Sequence, residues 1–193
     1  IVNNRWGSTW NQFLAQQGYI VFSMDARGMS GRGEDFKNLS YGDMAKYLAK
    51  DTAAGVQYLV DRGIADPDRI GAWGWSGGGY FTGLMLTKNA HLFDVGVSVA
   101  PVMDFRLYDS IYTERSMGLP QFNKAGYDST SVLSYVDRFN GKLLVIHGTG
   151  DDNVHSQNMT WLIEEFVKHD KQLDTFYYPN RPHSMAGGNA RKN

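Results

Sequence analysis

The chain contains no cysteine. Disulfides, a thiolate nucleophile and cysteine-ligated zinc are therefore excluded. Charge of either sign is not in excess: 19 Lys and Arg stand against 20 Asp and Glu. No basic field draws the chain to nucleic acid or anionic lipid. No apolar run approaches the ~18 residues of a membrane span. The first residues, IVNNRWGSTW, lack an initiator Met, and they lack the basic start and apolar stretch of a signal peptide. They read as the interior of a longer chain. No repeat, low-complexity tract or linker is visible. What is plentiful is apolar side chain, 42% of 193 residues, enough for one globular domain with its own core.

Strand-like and helix-like stretches alternate. GYIVFSMD (18–25), RIGAWGW (69–75), FDVGVSVA (93–100), KLLVIHG (142–148) and DTFYYP (174–179) are short apolar runs that read as strands. Residues 9–17, with Ser8 as N-cap and Gly18 as stop, read as a helix, as do 41–62, 77–88 and 156–169. The buried stripe is Leu48, Val56, Leu59 and Val60 on 41–62, and Trp161, Leu162, Phe166 and Val167 on 156–169. Five such strands among helices predict an α/β domain, a mostly parallel sheet with helices on both faces. Residues 25–36 read as a Gly-rich loop. Residues 101–140 read as a long irregular stretch, and that length in a compact domain points to function.

GAWGWSGGGY (71–80) sets Ser76 among glycines. Gly74-Trp75-Ser76-Gly77-Gly78 matches G-x-S-x-G, after an expected strand and before an expected helix, which is the context of a nucleophile elbow. A strand that turns at once into a helix forces the residue between them toward positive φ. Small neighbours let strand and helix approach. The bend lifts Ser76 Oγ clear of the sheet. The Gly77 N–H then opens the helix, where a developing oxyanion is stabilised. A phosphate-binding helix start or a plain tight turn would look similar in this stretch alone.

Serine needs a base, and the base needs an acid. In the chain order of the α/β-hydrolase fold the acid follows the nucleophile and the histidine comes last. HGTGDDNVH supplies Asp151 and Asp152 in the loop after the 142–148 strand. YYPNRPHSM supplies His183 after the last strand. All three would lie at the carboxyl ends of parallel strands, where open α/β sheets place their sites. His91, His147, His155 and His169 are weaker candidates for the base. A solvated loop histidine is the bland alternative for His183 taken alone.

GWSGGGY, APVMDFRLYDSIYTERSMGLP and HGTGDDNVH together resemble the catalytic domain of the prolyl oligopeptidase family, in its dipeptidyl peptidase IV branch. The resemblance runs from about Gly18 to His183. It implies an α/β-hydrolase core over 1–193, truncated at both ends and without the upstream β-propeller of such enzymes. It implies Ser76 as nucleophile, Asp151 as acid, His183 as base and Gly77 as oxyanion donor. Choosing Asp151 over Asp152 rests on position in the motif. Asn153 would hydrogen-bond a substrate carbonyl. Val102, Phe105, Tyr108, Tyr112 and Val154 would line an apolar slot for a proline-sized side chain, although core packing would also explain each aromatic singly. Arg27, in DARGMSGRG, would be an internal ion-pair partner. Two positions depart from the pattern: Gly77 stands where an aromatic residue is usual, which removes one wall of the slot, and Phe105 stands where Trp is common.

The implied activity is a serine exopeptidase that releases N-terminal dipeptides, or tripeptides, after Pro or Ala, with no metal or cofactor. The implied partners are such peptides, with no nucleic acid, and a homodimer of the full-length enzyme. Relatives are often secreted, periplasmic or membrane-anchored. Two other readings stay open: a carboxylesterase or lipase on the same fold, and a catalytically silent segment of the peptidase.

Overall fold

The computed structural model describes residue 2 and residues 7–187. Its centre is a four-stranded sheet, β1 (Gly71–Trp75), β2 (Val95–Val99), β3 (Lys142–Gly148) and β4 (Asp174–Tyr178), in the order β1-β2-β3-β4. Every neighbouring pair is parallel. Register runs across the sheet from Trp73 to Val97 to Leu144, and from Trp75 to Val99 to Ile146 to Phe176.

That register sorts side chains by face. Gly96, Ser98, Leu143, Val145 and His147 are buried on one face. There α4 (Gly77–Lys88) packs across β1 and β2. It comes so close that a Cβ on Gly96 would sit 2.8 Å from Leu86 and 2.9 Å from Thr82. The core continues through Tyr80, Leu84, Met85, Val132, Phe139, Leu162 and Phe166. On the other face Trp73, Trp75 and Phe176 are partly exposed. The first helix, α1 (Thr9–Gln16), reaches this face, its Trp10 ring edge-on to Trp73 at 5.7 Å.

The ends of α1 follow from its sequence. Ser8 Oγ accepts from Asn11 N at 3.1 Å. Gly18, at φ 89°, closes the helix as Tyr19 N donates to Leu14 O at 3.1 Å. A short helix, α2 (Glu34–Asn38), interrupts the expected 25–36 loop. Helix α3 (Lys46–Asp61) starts later than the expected 41–62, because Asp43 Oδ1 accepts from Ala45 N and Lys46 N and fixes a turn first.

Three expectations are corrected. Among the described residues, 18–25 form no strand and no ladder joins them to the four strands of the sheet, with Tyr19 and Ile20 more than 60% exposed. β-propensity describes a side chain that fits a pleated surface, and a strand exists only where a ladder forms. Against the five expected strands, the described residues form four. Residues 101–140 are mostly helical, with α5 (Ser110–Met117), α6 (Lys124–Thr130) and 3₁₀ turns at Phe105–Leu107 and Val132–Arg138. Each piece is too short to show a helical period, though Asp109 and Asn123 cap α5 and α6 through their side chains. On α7 (Gln157–Lys168), Leu162 and Phe166 are buried as expected, but Val167 is 73% exposed and Trp161 partly so. Asn158 and Met159 take the inward places instead.

Candidate active site

Ser76 lies between β1 and α4 with φ 57° and ψ −115°. A non-glycine residue there carries real strain. The close approach of strand and helix imposes it: a Cβ on Gly74 would lie 2.3–2.6 Å from the backbone of Gly78. Ser76 N donates to Val99 O at 2.8 Å and Ser76 O accepts from Tyr80 N at 2.9 Å, so both backbone groups are held. Gly77 starts α4 at the positive end of the helix dipole. A Cβ on Gly77 would meet nothing within 4 Å, so this side of the elbow is open.

Asp151 sits in the turn after β3, its carboxylate screened from solvent. Oδ1 accepts from Asn153 N at 2.9 Å and Val154 N at 2.8 Å. Oδ2 lies 2.8 Å from His183 Nδ1. A carboxylate only accepts, so Nδ1 is the donor in this contact. Asp152, exposed, instead accepts from His183 N at 3.4 Å. The two neighbours, which chain order alone left alike, thus make different contacts. The two loops are tied further: Thr149 N donates to Tyr178 O, Asn180 N to Thr149 Oγ1 and Gly150 N to Arg181 O, at 2.9–3.1 Å.

The elbow and the histidine loop also touch. Trp75 Nε1, one residue before Ser76, donates to His183 O at 3.2 Å. No hydrogen bond joins Ser76 to the His183 ring among the described residues. Catalytic hydrogen bonds are often long in unliganded enzymes and tighten with substrate.

The aromatic residues Phe105, Tyr108 and Tyr112 lie together. Phe105 is buried, edge-on to Tyr80 at 4.9 Å, and 6.4 Å from both Tyr108 and Tyr112. Tyr108 and Tyr112 meet edge to face at 5.5 Å. Val102 and Val154 lie in the packed interior, and Tyr112 faces solvent. Tyr108 OH donates to Asn153 Oδ1 at 3.0 Å, which joins the aromatic cluster to the Asp151 loop and leaves the Asn153 amide N–H free to turn outward. Burial pushes the Tyr108 phenol up, with Asp109 adding to it, so the hydroxyl stays a donor.

Sequence reasoning missed the contacts of Trp75 and Asn158, and weighed His147 only as a weaker candidate for the base. Buried Asn158 Oδ1 accepts from Met103 N at 2.8 Å and Asp104 N at 3.3 Å, and Nδ2 donates to His155 O at 3.1 Å. It pins residues 103–104, just before Phe105, to the chain that follows the Asp151 turn. A polar residue where the helical period wants an apolar one was its only signal. Arg27 pairs with Asp51 and stacks on Tyr47 at 4.2 Å, an internal role as expected. No group of three or more metal-binding side chains occurs among the described residues.

Residues 6–193 match the prolyl oligopeptidase family. The chain belongs to that family. Within the prolyl oligopeptidase family it is 39% identical over 176 residues to a probable dipeptidyl-aminopeptidase B of Aspergillus terreus, covering 90% of this chain and 19% of that protein. It is 34% identical over 186 residues to prolyl endopeptidase FAP of Mus musculus, covering 94% of this chain and 24% of that protein. The crystal structure of Porphyromonas gingivalis dipeptidyl peptidase 4 superposes with a TM-score of 0.93 at 38% identity, over 98% of this chain and 27% of that one. The fold is therefore that of an α/β-hydrolase. The chain spans about a fifth to a quarter of the length of these family relatives.

Proposed function

We propose that Ser76, Asp151 and His183 form the catalytic triad of a serine exopeptidase, which releases N-terminal dipeptides after proline or alanine. The observation that carries the reading is the 2.8 Å contact from His183 Nδ1 to Asp151 Oδ2, beside a serine held at φ 57°. The names of the relatives, dipeptidyl-aminopeptidase B and dipeptidyl peptidase 4, support the substrate class.

In this mechanism Ser76 Oγ attacks the scissile carbonyl while its proton passes to His183 Nε2. Asp151 holds the Nδ1–H and stabilises the imidazolium. The negative charge gathers on the former carbonyl oxygen, at the Gly77 N–H. His183 then returns the proton to the leaving amine as the C–N bond breaks. Water repeats the sequence on the acyl-enzyme, frees the dipeptide carboxylate and restores Ser76. No metal or cofactor enters any step.

Phe105, Tyr108 and Tyr112, backed by the buried Val102 and Val154, form the slot for the residue before the cleaved bond. Proline suits flat, rigid walls and has no N–H to leave unsatisfied. Asn153 turns its amide toward a substrate carbonyl. Because Gly77 leaves one side open, alanine is accepted alongside proline.

The test is Ser76→Ala in the full-length protein, assayed on a Gly-Pro chromogenic amide and a matched acyl ester. Loss of amide cleavage with the fold unchanged supports the peptidase. Ester hydrolysis with no prolyl-amide cleavage in the wild type replaces it with an esterase.

A further inference from the structure

One buried titratable side chain takes no part in the steps above. His147 is the penultimate residue of β3 and is fully buried. Its Nε2 lies 2.9 Å from Val154 O and 3.3 Å from Asp151 Oδ2. A carbonyl only accepts, so Nε2 carries the ring proton. Its Nδ1 is buried with no partner. Protonating it would bury a second N–H with nothing to receive it. The ring is accordingly neutral, and burial, against the pull of Val154 O and Asp151, pushes its pKa down. The titratable groups facing it are Asp151, His183 and His155.

An apolar side chain of similar size would fill this space without an unsatisfied nitrogen. What the imidazole adds is one N–H, aimed at the turn that carries the acid. Asp151 Oδ1 is already held by two amides of that turn, and Oδ2 faces His183. The His147 N–H bonds the turn at one end, the Val154 carbonyl, and its nitrogen lies 3.3 Å from Asp151 Oδ2 at the other.

We propose that His147 is a positioning residue, whose Nε2–H holds the Val154 carbonyl while its ring packs against Asp151 Oδ2, so that the acid meets His183 in one geometry. This rests on the triad reading. The clamp acts through Asp151 and touches no substrate. It governs kcat and leaves substrate affinity to the aromatic slot.

The experiment compares His147→Leu and His147→Gln in the full-length protein. A glutamine amide can place an N–H near the lost one; leucine cannot. We expect His147→Leu to lower kcat on a prolyl amide by on the order of 10²-fold, the cost of a misplaced catalytic group, with KM within about twofold. Glutamine should restore kcat to within about tenfold of wild type. A leucine variant with near-wild-type kcat overturns the inference. So does an equal loss in both variants with a raised KM and a lowered Tm, which describes a merely structural histidine. Neutron diffraction of the wild type gives a reading that needs no variant to fold: a deuteron on Nε2 between Val154 O and Asp151 Oδ2 supports the clamp, and one on Nδ1 overturns it. If wild type reacts with a fluorophosphonate and His147→Leu reacts as fast, this inference alone falls. If wild type does not react at all, the triad reading falls and the clamp with it.

Discussion

The indole of Trp75 donates to the backbone carbonyl of His183 across 108 residues of sequence. Trp75 precedes Ser76, so one hydrogen bond ties the strand before Ser76 to the loop of His183. Trp75→Phe keeps most of the ring and removes the donor. A single net hydrogen bond is worth about 0.5–1.5 kcal/mol. We therefore expect a Tm change of at most about 2–6 °C. The greater loss should be in turnover, on the order of tenfold, since small misplacements of a catalytic group are costly. Steady-state kinetics and thermal melts on the same preparations check this. Unchanged kcat would mean that the loop is held by its other contacts.

Asp151 and Asp152 should separate sharply. Asp151→Asn removes the acceptor at 2.8 Å from His183 Nδ1 and favours the wrong tautomer. In a serine protease with this constellation the equivalent change lowers kcat on the order of 10⁴-fold. Asp152→Asn loses only a 3.4 Å contact to a backbone amide, and the asparagine oxygen can replace it. Its kcat should stay within about threefold of wild type, less than one hydrogen bond's worth. Reversed magnitudes would move the acid by one residue.

The glycines around Ser76 should differ too. Gly74→Ala puts a methyl 2.3–2.6 Å from the Gly78 backbone and must push strand and helix apart. Overpacking of this kind costs about 1–3 kcal/mol, or about 2–12 °C in Tm. Gly77→Ala enters open space and should leave Tm within about 2 °C. Melting curves of the two variants decide it.

His147 also makes a pH prediction. Its folded pKa is lowered by burial, so below the ordinary value of 6.5 the unfolded chain binds the proton more readily than the folded one. The stability it contributes is complete above that pH and is lost as pH falls below it. Asp51, held below its ordinary 3.8 chiefly by the Arg27 side chain, keeps its full contribution above that ordinary value and loses it as pH falls further. Tm should therefore start to fall below about pH 6.5 in wild type. His147→Gln should flatten that first step and leave the Asp51 step in place. Parallel Tm–pH curves for the two proteins would contradict it.

Much of the fold was legible because the signals were local. β1, β2, β3 and β4 each carry an apolar run with a stop at both ends, and Ser8 and Gly18 bound α1 as their chemistry dictates. The elbow was legible because Gly74 and Ser76 are steric requirements written in three residues. Residues 18–25 were misread because a strand is a relation between segments, and their sequence does not name a partner. α5 and α6 were missed because seven or eight residues give a cap and no period. The link from His183 to Asp151 was within reach of motif order, but Trp75, Asn158 and His147 act through contacts that no spacing announces.

The central claim, that Ser76 is activated by His183, is tested most directly by fluorophosphonate labelling of the full-length protein, followed by mass spectrometry of its peptides. The account predicts one covalent adduct, on the peptide containing Ser76, that disappears in His183→Ala while the melting curve is unchanged. An adduct on another serine, or undiminished labelling of Ser76 without His183, would contradict it.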